Sequence, residues 1–233
     1  MNDFYQLIVD KNELHRFLDF LPETDDSNQY YVTVFGRKKY LPDHPALKSD
    51  KTMLARWTSN KERFINKLVQ KETRIGTYLG TNELAVPQEA LACYMTPSPR
   101  DFRKVAFNTI KVFADKLSKD GYINPRQEVM NLIQTTGSKN SFQVFDIDSK
   151  DPAILQVIRE AVDDLCSIIE TRGGFHILIN PSELKDQPTV AKNWYTIVSS
   201  KADVTGDALV PIPGTYQGGF VPRLIQISRK HRQ

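Results

Sequence analysis

Two aspartates at the end of a short apolar segment have the types and spacing to do chemistry. The segment runs from Phe142 to Asp148. Because strand side chains alternate between faces, Asp146 and Asp148 point one way, while Phe145 and Ile147 point the other way toward a buried face. The two carboxylates then stand roughly 6–7 Å apart along the strand, and like charges repel unless water or a cation compensates them. The pair predicts a site for Mg²⁺ or Mn²⁺, which prefer oxygen ligands.

The elements that must position this pair follow it along the chain. Asp151 and Pro152 are typical of a helix start, as N-cap and first helical residue. Apolar residues at helical spacing continue as far as Ile169, and Thr171–Gly174 predicts the end of that helix. Phe175–Ile179 predicts a second strand. A strand, a helix and a strand in this order favour a βαβ unit with parallel strands and a right-handed crossover.

A histidine in the second strand completes the candidate site. His176 points away from the face that Phe175 and Ile177 share. If the two strands are neighbours, His176 lies on the same open face as Asp146 and Asp148, where it can donate to a phosphate oxygen. A position of His176 in the core would remove this hypothesis. Each signal is weak alone, but the strand-borne pair, the βαβ spacing and the histidine together are more specific.

Composition sets wide limits on the class of protein. The 233 residues suit one domain of two lobes or two small domains, and the net charge of +3 allows nucleic acid as a partner without requiring it. No apolar run approaches the ~20 residues that span a bilayer, and the N-terminus lacks the pattern of a signal peptide. We therefore expect a cytoplasmic location, the host cytoplasm if the gene is viral, and no membrane partner. Cys93 and Cys166 lie in apolar surroundings and indicate buried, reduced thiols.

Basic segments precede the aspartates. A strand is predicted at Tyr30–Phe35, followed by Arg37–Tyr40, whose cations and aromatic ring can grip phosphates or stack bases. A solvated basic loop is the alternative reading. A polar loop then runs from Pro42 to Lys51, and a helix is predicted over Thr58–Lys71. Arg100 begins a later helix, where a cation opposes the macrodipole, so it is either aimed at an anion or an ordinary surface arginine.

Three segments resemble motifs of the archaeo-eukaryotic primase superfamily. Phe145–Asp148 is similar to the first motif, a hydrophobic strand that ends in Asp-x-Asp. Thr171–Ile177 is similar to the second, a glycine-containing turn that leads to a strand histidine. Asp203–Thr215 is similar to the third, an acid followed by a strand and a Pro-Gly-Ser/Thr turn. The motifs fall in the family's order, and Arg37–Tyr40 and Pro99–Arg100 resemble segments of small primase-polymerase-like proteins of phages and mobile elements.

The resemblance implies a mixed α/β (α+β) fold with an RRM-like catalytic lobe packed on an N-terminal α/β lobe. Residues 1–120 would form the N-terminal lobe and residues 121–233 the catalytic lobe, with the active site in the cleft between them. The implied activity is that of a DNA primase/polymerase, template-directed nucleotidyl transfer that joins nucleotides in DNA replication. The implied partners are single-stranded DNA template, a primer strand and NTPs or dNTPs, with a replicative helicase as a further candidate.

The resemblance also implies roles for individual residues. Asp146, Asp148 and Asp203 would bind two Mg²⁺ or Mn²⁺ ions, with Asp207 as a competitor for the third position. His176 would contact the phosphates of the incoming nucleotide, and Arg172 is a candidate for a second phosphate contact. Archaeal relatives carry a histidine and a lysine where this chain has Tyr216–Gly219, so the residues that hold the triphosphate there stay open. With two cysteines, the chain has no zinc-binding element of the kind found in many primases.

Two other functions compete with nucleotidyl transfer. A rolling-circle replication endonuclease needs a pair of metal-binding histidines and a nucleophilic tyrosine. Tyr195 could serve as that nucleophile, but Phe175–Leu178 offers only one histidine. The other alternative is a non-catalytic nucleic-acid-binding replication module, which would keep the fold and lose the acids.

Overall fold

The computed structural model describes residues 3–119, 121–137, 142–185, 187–206 and 209–231, and these form two antiparallel sheets with helices packed on them. The predicted mixed α/β class is confirmed. Within these ranges, no helix is long and apolar enough to cross a bilayer. The helices are α1 (Lys11–Phe20), α2 (Lys61–Val69), α3 (Phe102–Ser118), α4 (Pro125–Thr135), α5 (Pro152–Ala161), α6 (Pro181–Leu184) and α7 (Trp194–Ser199). The strands are β1 (Asn28–Arg37), β2 (Lys51–Ser59), β3 (Leu91–Met95), β4 (Arg100–Asp101), β5 (Gln143–Ile147), β6 (Ser167–Glu170), β7 (Phe175–Ile179), β8 (Asp203–Gly206), β9 (Val210–Pro211) and β10 (Arg223–Gln226).

The first sheet has the strand order β2–β1–β3–β9, with β4 paired to β1. Strand β1 contains the predicted Tyr30–Phe35 segment, whose β-branched and aromatic residues suit a half-buried pleated surface. Tyr30, Val32 and Val34 enter a large core together with apolar residues of α1 and α2. Phe35 and Arg37, two residues apart, lie on the other face, where Arg37 reaches the cleft described below.

Strand β2 begins at Lys51, where the predicted polar loop ends, and it extends into the segment that was predicted as helix. It pairs with β1 along its whole length, from the Tyr30–Ser59 pair to the Arg37–Lys51 pair. The prediction that a helix begins at Thr58 is wrong, because helix α2 begins at Lys61. Its N-cap is Asn60, whose side chain accepts from the backbone N–H of Arg63.

The second sheet has the strand order β10–β6–β7–β5–β8, and every neighbouring pair is antiparallel. The predicted strands β5 and β7 are neighbours, as expected, but the prediction that they are parallel is wrong. The chain passes from β5 through α5 to β6, which runs in the same direction as β5. It then turns back as β7, which lies between them.

The prediction of one helix that continues as far as Ile169 is wrong, because this segment contains a break and a further strand. Helix α5 ends at Ala161, and Asp163 and Asp164 have φ values of 50° and 56°. This left-handed region is more open to Asp than to branched or bulky residues, and it cannot continue a right-handed helix. Residues 167–170 then form β6, and Thr171–Gly174 is the turn of a hairpin, in which the Thr171 N–H donates to the Gly174 carbonyl at 2.9 Å.

Strand β5 belongs to two cores. On one face Phe145 and Ile147 pack with residues of α5 and α7. On the other face Phe142, which precedes the strand, and Val144 join the core of the first sheet. The acid-bearing face is therefore buried at its start and opens at its end, which places Asp146 at the boundary between the core and a cleft.

Candidate functional site

A row of ionisable side chains crosses three strands of the second sheet. Asp146 of β5 lies directly opposite His176 of β7 on one side and opposite Asp203 of β8 on the other. Directly opposite residues share a face of the sheet, with Cβ atoms about 4.5–5.5 Å apart. The His176 Nε2 atom lies 3.3 Å from the Asp146 Oδ1 atom. The expected shared face of His176 and Asp146 is thus observed, while the catalytic roles of these residues stay predictions.

Burial and repulsion make this row of acids electrostatically costly. The pKa of Asp146 is raised by desolvation and by the charge of Asp148, with a smaller contribution from Asp203, although Lys39 opposes the shift. Asp148 is exposed just beyond the end of β5, and Asp203 is exposed at the start of β8. Both lie close enough to Asp146 to disfavour its ionised form. Among the residues that the structure describes, Lys39 and Lys51 therefore compensate the charge of Asp146 only in part.

His176 is buried and is held in its neutral form. Burial lowers its pKa to about 4, with further lowering by Lys39, Lys51 and Arg37, although Asp148 opposes the shift. Its Nδ1 atom is buried and has no hydrogen-bond partner among the residues that the structure describes. His176 nevertheless lines the cleft rather than the interior of a core. At neutral pH it can therefore act on a ligand as a polar, uncharged group.

The opposite wall of the cleft is basic and comes from the first sheet. Arg37 at the end of β1 lies directly opposite Lys51 at the start of β2, and Lys39 follows two residues after Arg37. Arg37 is only 5% exposed. Its guanidinium donates to the Tyr94 hydroxyl and to Asp50 Oδ2, the second at 3.0 Å. Lys39 is exposed overall, yet desolvation and the charge of Arg37 lower its pKa, against the effect of Asp148.

Arg100 also belongs to this wall. It is 2% exposed, so the reading as a surface arginine is wrong, and its Nη1 donates to the Thr136 carbonyl at 3.0 Å. It lies in β4 rather than in the first turn of α3, because Asp101 is the N-cap and accepts from the backbone N–H groups of Arg103 and Lys104. The side chain of Arg100 lines the cleft.

Acidic and basic walls enclose one cleft of about 340 Å³. That volume is within the range of small-molecule sites. Its lining includes Asp146, Asp148 and His176 from the second sheet and Arg37, Lys39 and Lys51 from the first. A ligand that fits must present negative charge to one wall and positive charge to the other.

The hairpin turn between β6 and β7 approaches the acids closely because it contains glycine. A Cβ atom at Gly174 would lie 1.7 Å from the Ile147 carbonyl oxygen, so no other residue fits without moving the backbone. A Cβ atom at Gly173 would meet nothing nearer than Asp148 Oδ1 at 3.9 Å. Gly174 therefore allows the hairpin to lie against the end of β5, next to Asp148.

Arg172 lies at the edge of this turn and packs on the first sheet's side. Its guanidinium carbon lies 4.6 Å from the centre of the Tyr40 ring, and its backbone N–H donates to Gln217 Oε1. Gly218, with φ of 55°, approaches both side chains, since a Cβ there would lie 2.4 Å from Tyr40 Cδ2 and 2.6 Å from Arg172 Nη1. The predicted phosphate contact of Arg172 is not tested by these contacts, which place it beside the cleft.

The donor set fits a hard cation in part. Asp146 and Asp148 present carboxylate oxygens on one face, and Mg²⁺ typically takes one or two protein carboxylates plus water and substrate phosphate. Over the described parts of the chain, no three His, Cys, Asp or Glu side chains are grouped closely enough to hold a metal ion. Asp203 is thus adjacent to Asp146 in the sheet without forming a closed ligand group, and Asp207 lies outside the described residues.

The rolling-circle alternative finds no support in the geometry. Tyr195 packs on Phe145 and Trp194, with ring centres 6.0 and 5.6 Å away. Phe145 points to the face of the sheet opposite Asp146 and His176. A nucleophile at Tyr195 would therefore be separated by the sheet from the candidate metal site.

Sequence reasoning missed one cation of the basic wall, Lys51. It singled out Arg37, Lys39 and Arg100 but did not place Lys51 opposite Arg37, because β2 was not predicted as a strand. The available signal was Lys51–Ser59 itself, which contains Trp57 and Thr58 and lacks glycine and proline.

Comparison of the chain with protein-family models, curated proteins and solved structures found no match.

Proposed function

We propose that this chain is a template-directed nucleotidyltransferase, a DNA primase-polymerase that joins nucleotides by two-metal phosphoryl transfer. The observation that carries the proposal is the pairing of opposed charge rows across one cleft. Asp146 lines one wall, and its directly opposite partner in the sheet is another acid, Asp203; Arg37 and Lys51 line the facing wall and are directly opposite each other. Such pairs destabilise a sheet, and a metal-bound polyphosphate would relieve both.

The topology of the second sheet supports the proposal. Strands β5, β6, β7 and β8, with α5 after the first and α6 and α7 after the third, lie in the order β8–β5–β7–β6. This is the split βαβ arrangement of ferredoxin-like folds, to which RRM-like sheets correspond. In the proposed enzyme this sheet is the RRM-like catalytic lobe, and the first sheet with its helices is the N-terminal lobe.

The residues divide the work of the reaction. Asp146 and Asp148 would hold the divalent ions, with Asp203 completing the set. When bound, such ions lower the pKa of an attacking hydroxyl and stabilise a leaving pyrophosphate. His176 supplies a neutral polar group next to Asp146 and orients a phosphate without adding charge. The protein mainly positions the reactants and places charge, as phosphoryl transfer requires.

Nucleotide incorporation by acid variants tests this proposal. Asp146→Asn and Asp148→Asn should each lower the rate of incorporation on a single-stranded DNA template by at least about 100-fold, since even outer partners of a bound metal are worth roughly 10–100-fold. The assay supplies labelled NTPs or dNTPs with Mg²⁺ or Mn²⁺, with and without a primer. The matched control is Asp26→Asn, an exposed acid that does not line the cleft, which should leave the rate unchanged.

A double Asp146→Asn, Asp148→Asn variant that polymerises as well as the wild type would overturn the proposal. If the wild type binds single-stranded DNA and nucleotides but incorporates none with either cation, the chain is a non-catalytic binding module.

A further inference from the structure

The basic wall keeps a like-charge pair that an exposed acid, Asp50, neutralises only in part. Arg37 and Lys51 are directly opposite partners at the ends of β1 and β2, and Lys39 adds a third positive charge at the same end. Like charges in this position destabilise strand pairing. Asp50 pairs with Arg37 but is 57% exposed, so water weakens the bond between them.

Arg37 is built into the wall rather than extended from it. Its side chain is 6% exposed, and its guanidinium lies 5.5 Å from the centre of the Tyr94 ring. Two of its nitrogens donate to Tyr94 and Asp50, and its buried Nε has no partner in the described part of the chain. A buried, fixed guanidinium with an unused donor provides a permanent positive potential beside Lys39 and Lys51.

The two walls face the same space. Lys39 and Lys51 line the cleft that Asp146, Asp148 and His176 also line. A ligand between the walls therefore needs several negative charges within a few ångströms, with oxygens left for a cation on the acidic side.

A polyphosphate meets this requirement better than a nucleic-acid backbone. A DNA strand carries one charge per nucleotide and spreads it along its length. A nucleoside triphosphate concentrates its charge in one group of oxygens, and the cleft volume of about 340 Å³ suits a small molecule.

We propose that Lys39 and Lys51 bind the polyphosphate of the incoming nucleotide, and that Arg37 adds fixed positive charge behind them. This inference rests on the proposed nucleotidyl transfer and specifies which wall holds the triphosphate. The phosphate contacts then come from the first sheet and the turn that follows β1, across the cleft from the carboxylates.

Lysine variants with a matched neighbour test the inference. Lys39→Met and Lys51→Met should each weaken the binding of a fluorescent α,β-methylene ATP analogue, measured with Mg²⁺, by roughly 10-fold, as expected for a charge-assisted phosphate contact. Inorganic tripolyphosphate should displace the analogue from the wild type. The control is Lys38→Met, in the same 3₁₀ turn, which does not line the cleft and should bind like the wild type. In steady-state incorporation, the KM for nucleotide should rise in the two cleft variants.

The outcomes separate this inference from the proposed function. Incorporation by the wild type with an unchanged KM and unchanged analogue affinity in Lys39→Met and Lys51→Met overturns the inference and leaves nucleotidyl transfer intact. Analogue binding that depends on Lys39 and Lys51, without any incorporation, supports the phosphate site and overturns the proposed function. If the two variants lose affinity for a single-stranded oligonucleotide but not for the analogue, the wall holds template and the inference is wrong.

Discussion

At the scale of single residues, the main feature of the acidic row is that its negative charge is only partly compensated. Asp146 lies between His176 and Asp203, and its ionised form is disfavoured by burial and by neighbouring acids. His176 beside it is neutral because burial and nearby cations lower its pKa. Without a bound cation, the folded protein is therefore less stable than it would be with uncharged residues at this site. Functional sites commonly reduce stability in this way.

Neutralising Asp146 should therefore stabilise the metal-free protein. Asp146→Asn removes a carboxylate whose charge is disfavoured in the folded state, so the free energy of unfolding should rise at neutral pH. Urea denaturation in the presence of a chelator measures this change, and Asp26→Asn should show none. A variant that is less stable than the wild type would mean that the carboxylate has a structural partner.

The lowered pKa of His176 predicts how stability depends on pH. Its folded-state pKa is about 4 against an ordinary value of 6.5, so the unfolded chain binds more protons between these values. The contribution is complete above about pH 6.5 and is lost as pH falls toward 4. The raised pKa of Asp146 acts in the opposite direction at the acid end of this window.

Replacing the histidine should remove this dependence. In His176→Gln the loss of unfolding free energy between pH 6.5 and 4.5 should be smaller than in the wild type by on the order of 2 kcal/mol. Urea denaturation at a series of pH values without divalent ions measures it. Identical pH profiles for the two proteins would show that His176 is not held neutral by its surroundings.

At the scale of elements, the hairpin between β6 and β7 decides the geometry of the site. Its turn meets the end of β5 at Gly174, where a Cβ would collide with the Ile147 carbonyl oxygen at 1.7 Å. The obstacle is backbone rather than a flexible side chain, so neither partner can yield without a shift of the strand that carries Asp146.

Gly174→Ala should therefore lower the free energy of unfolding by roughly 2–4 kcal/mol, as expected for severe overpacking. The same change should reduce nucleotide incorporation, because it displaces the acids. Gly173→Ala is the matched control one residue away, and it should change stability by less than about 1 kcal/mol because its new Cβ has room. Chemical denaturation of both variants decides the point. Equal stability of the two would contradict the close approach at Gly174.

The same hairpin shows where sequence reasoning ended. The strands β5 and β7, the start of α5 at Pro152 and the shared face of Asp146 and His176 were predicted from local patterns. Strand β6 was not, because Ile168 and Ile169 continue the helical spacing of α5 and a short apolar run fits either structure. The break at Asp163 and Asp164 depends on left-handed backbone angles, which two acidic residues in the sequence do not predict.

At the scale of the whole molecule, the cleft exists because two sheets face each other. Each wall had a partial sequence signal: Asp146, Asp148 and His176 on one side, and Arg37 and Lys39 on the other. Their opposition is a tertiary fact that no local pattern contains. The sheets are also interlocked, since β9 follows the second sheet's β8 in sequence but pairs with β3 of the first. The predicted division near residue 120 stays a prediction.

Template-directed incorporation of single nucleotides distinguishes a nucleotidyltransferase from a protein that only binds nucleic acid. Four primed single-stranded DNA templates that differ only in the next template base are each offered the four labelled nucleotides with Mg²⁺ or Mn²⁺. We predict that the wild type adds the complementary nucleotide to each primer and that the Asp146→Asn, Asp148→Asn double variant adds none. The proposed nucleotidyl transfer would be contradicted if the wild type added no nucleotide with either cation, or if the double variant added as much as the wild type.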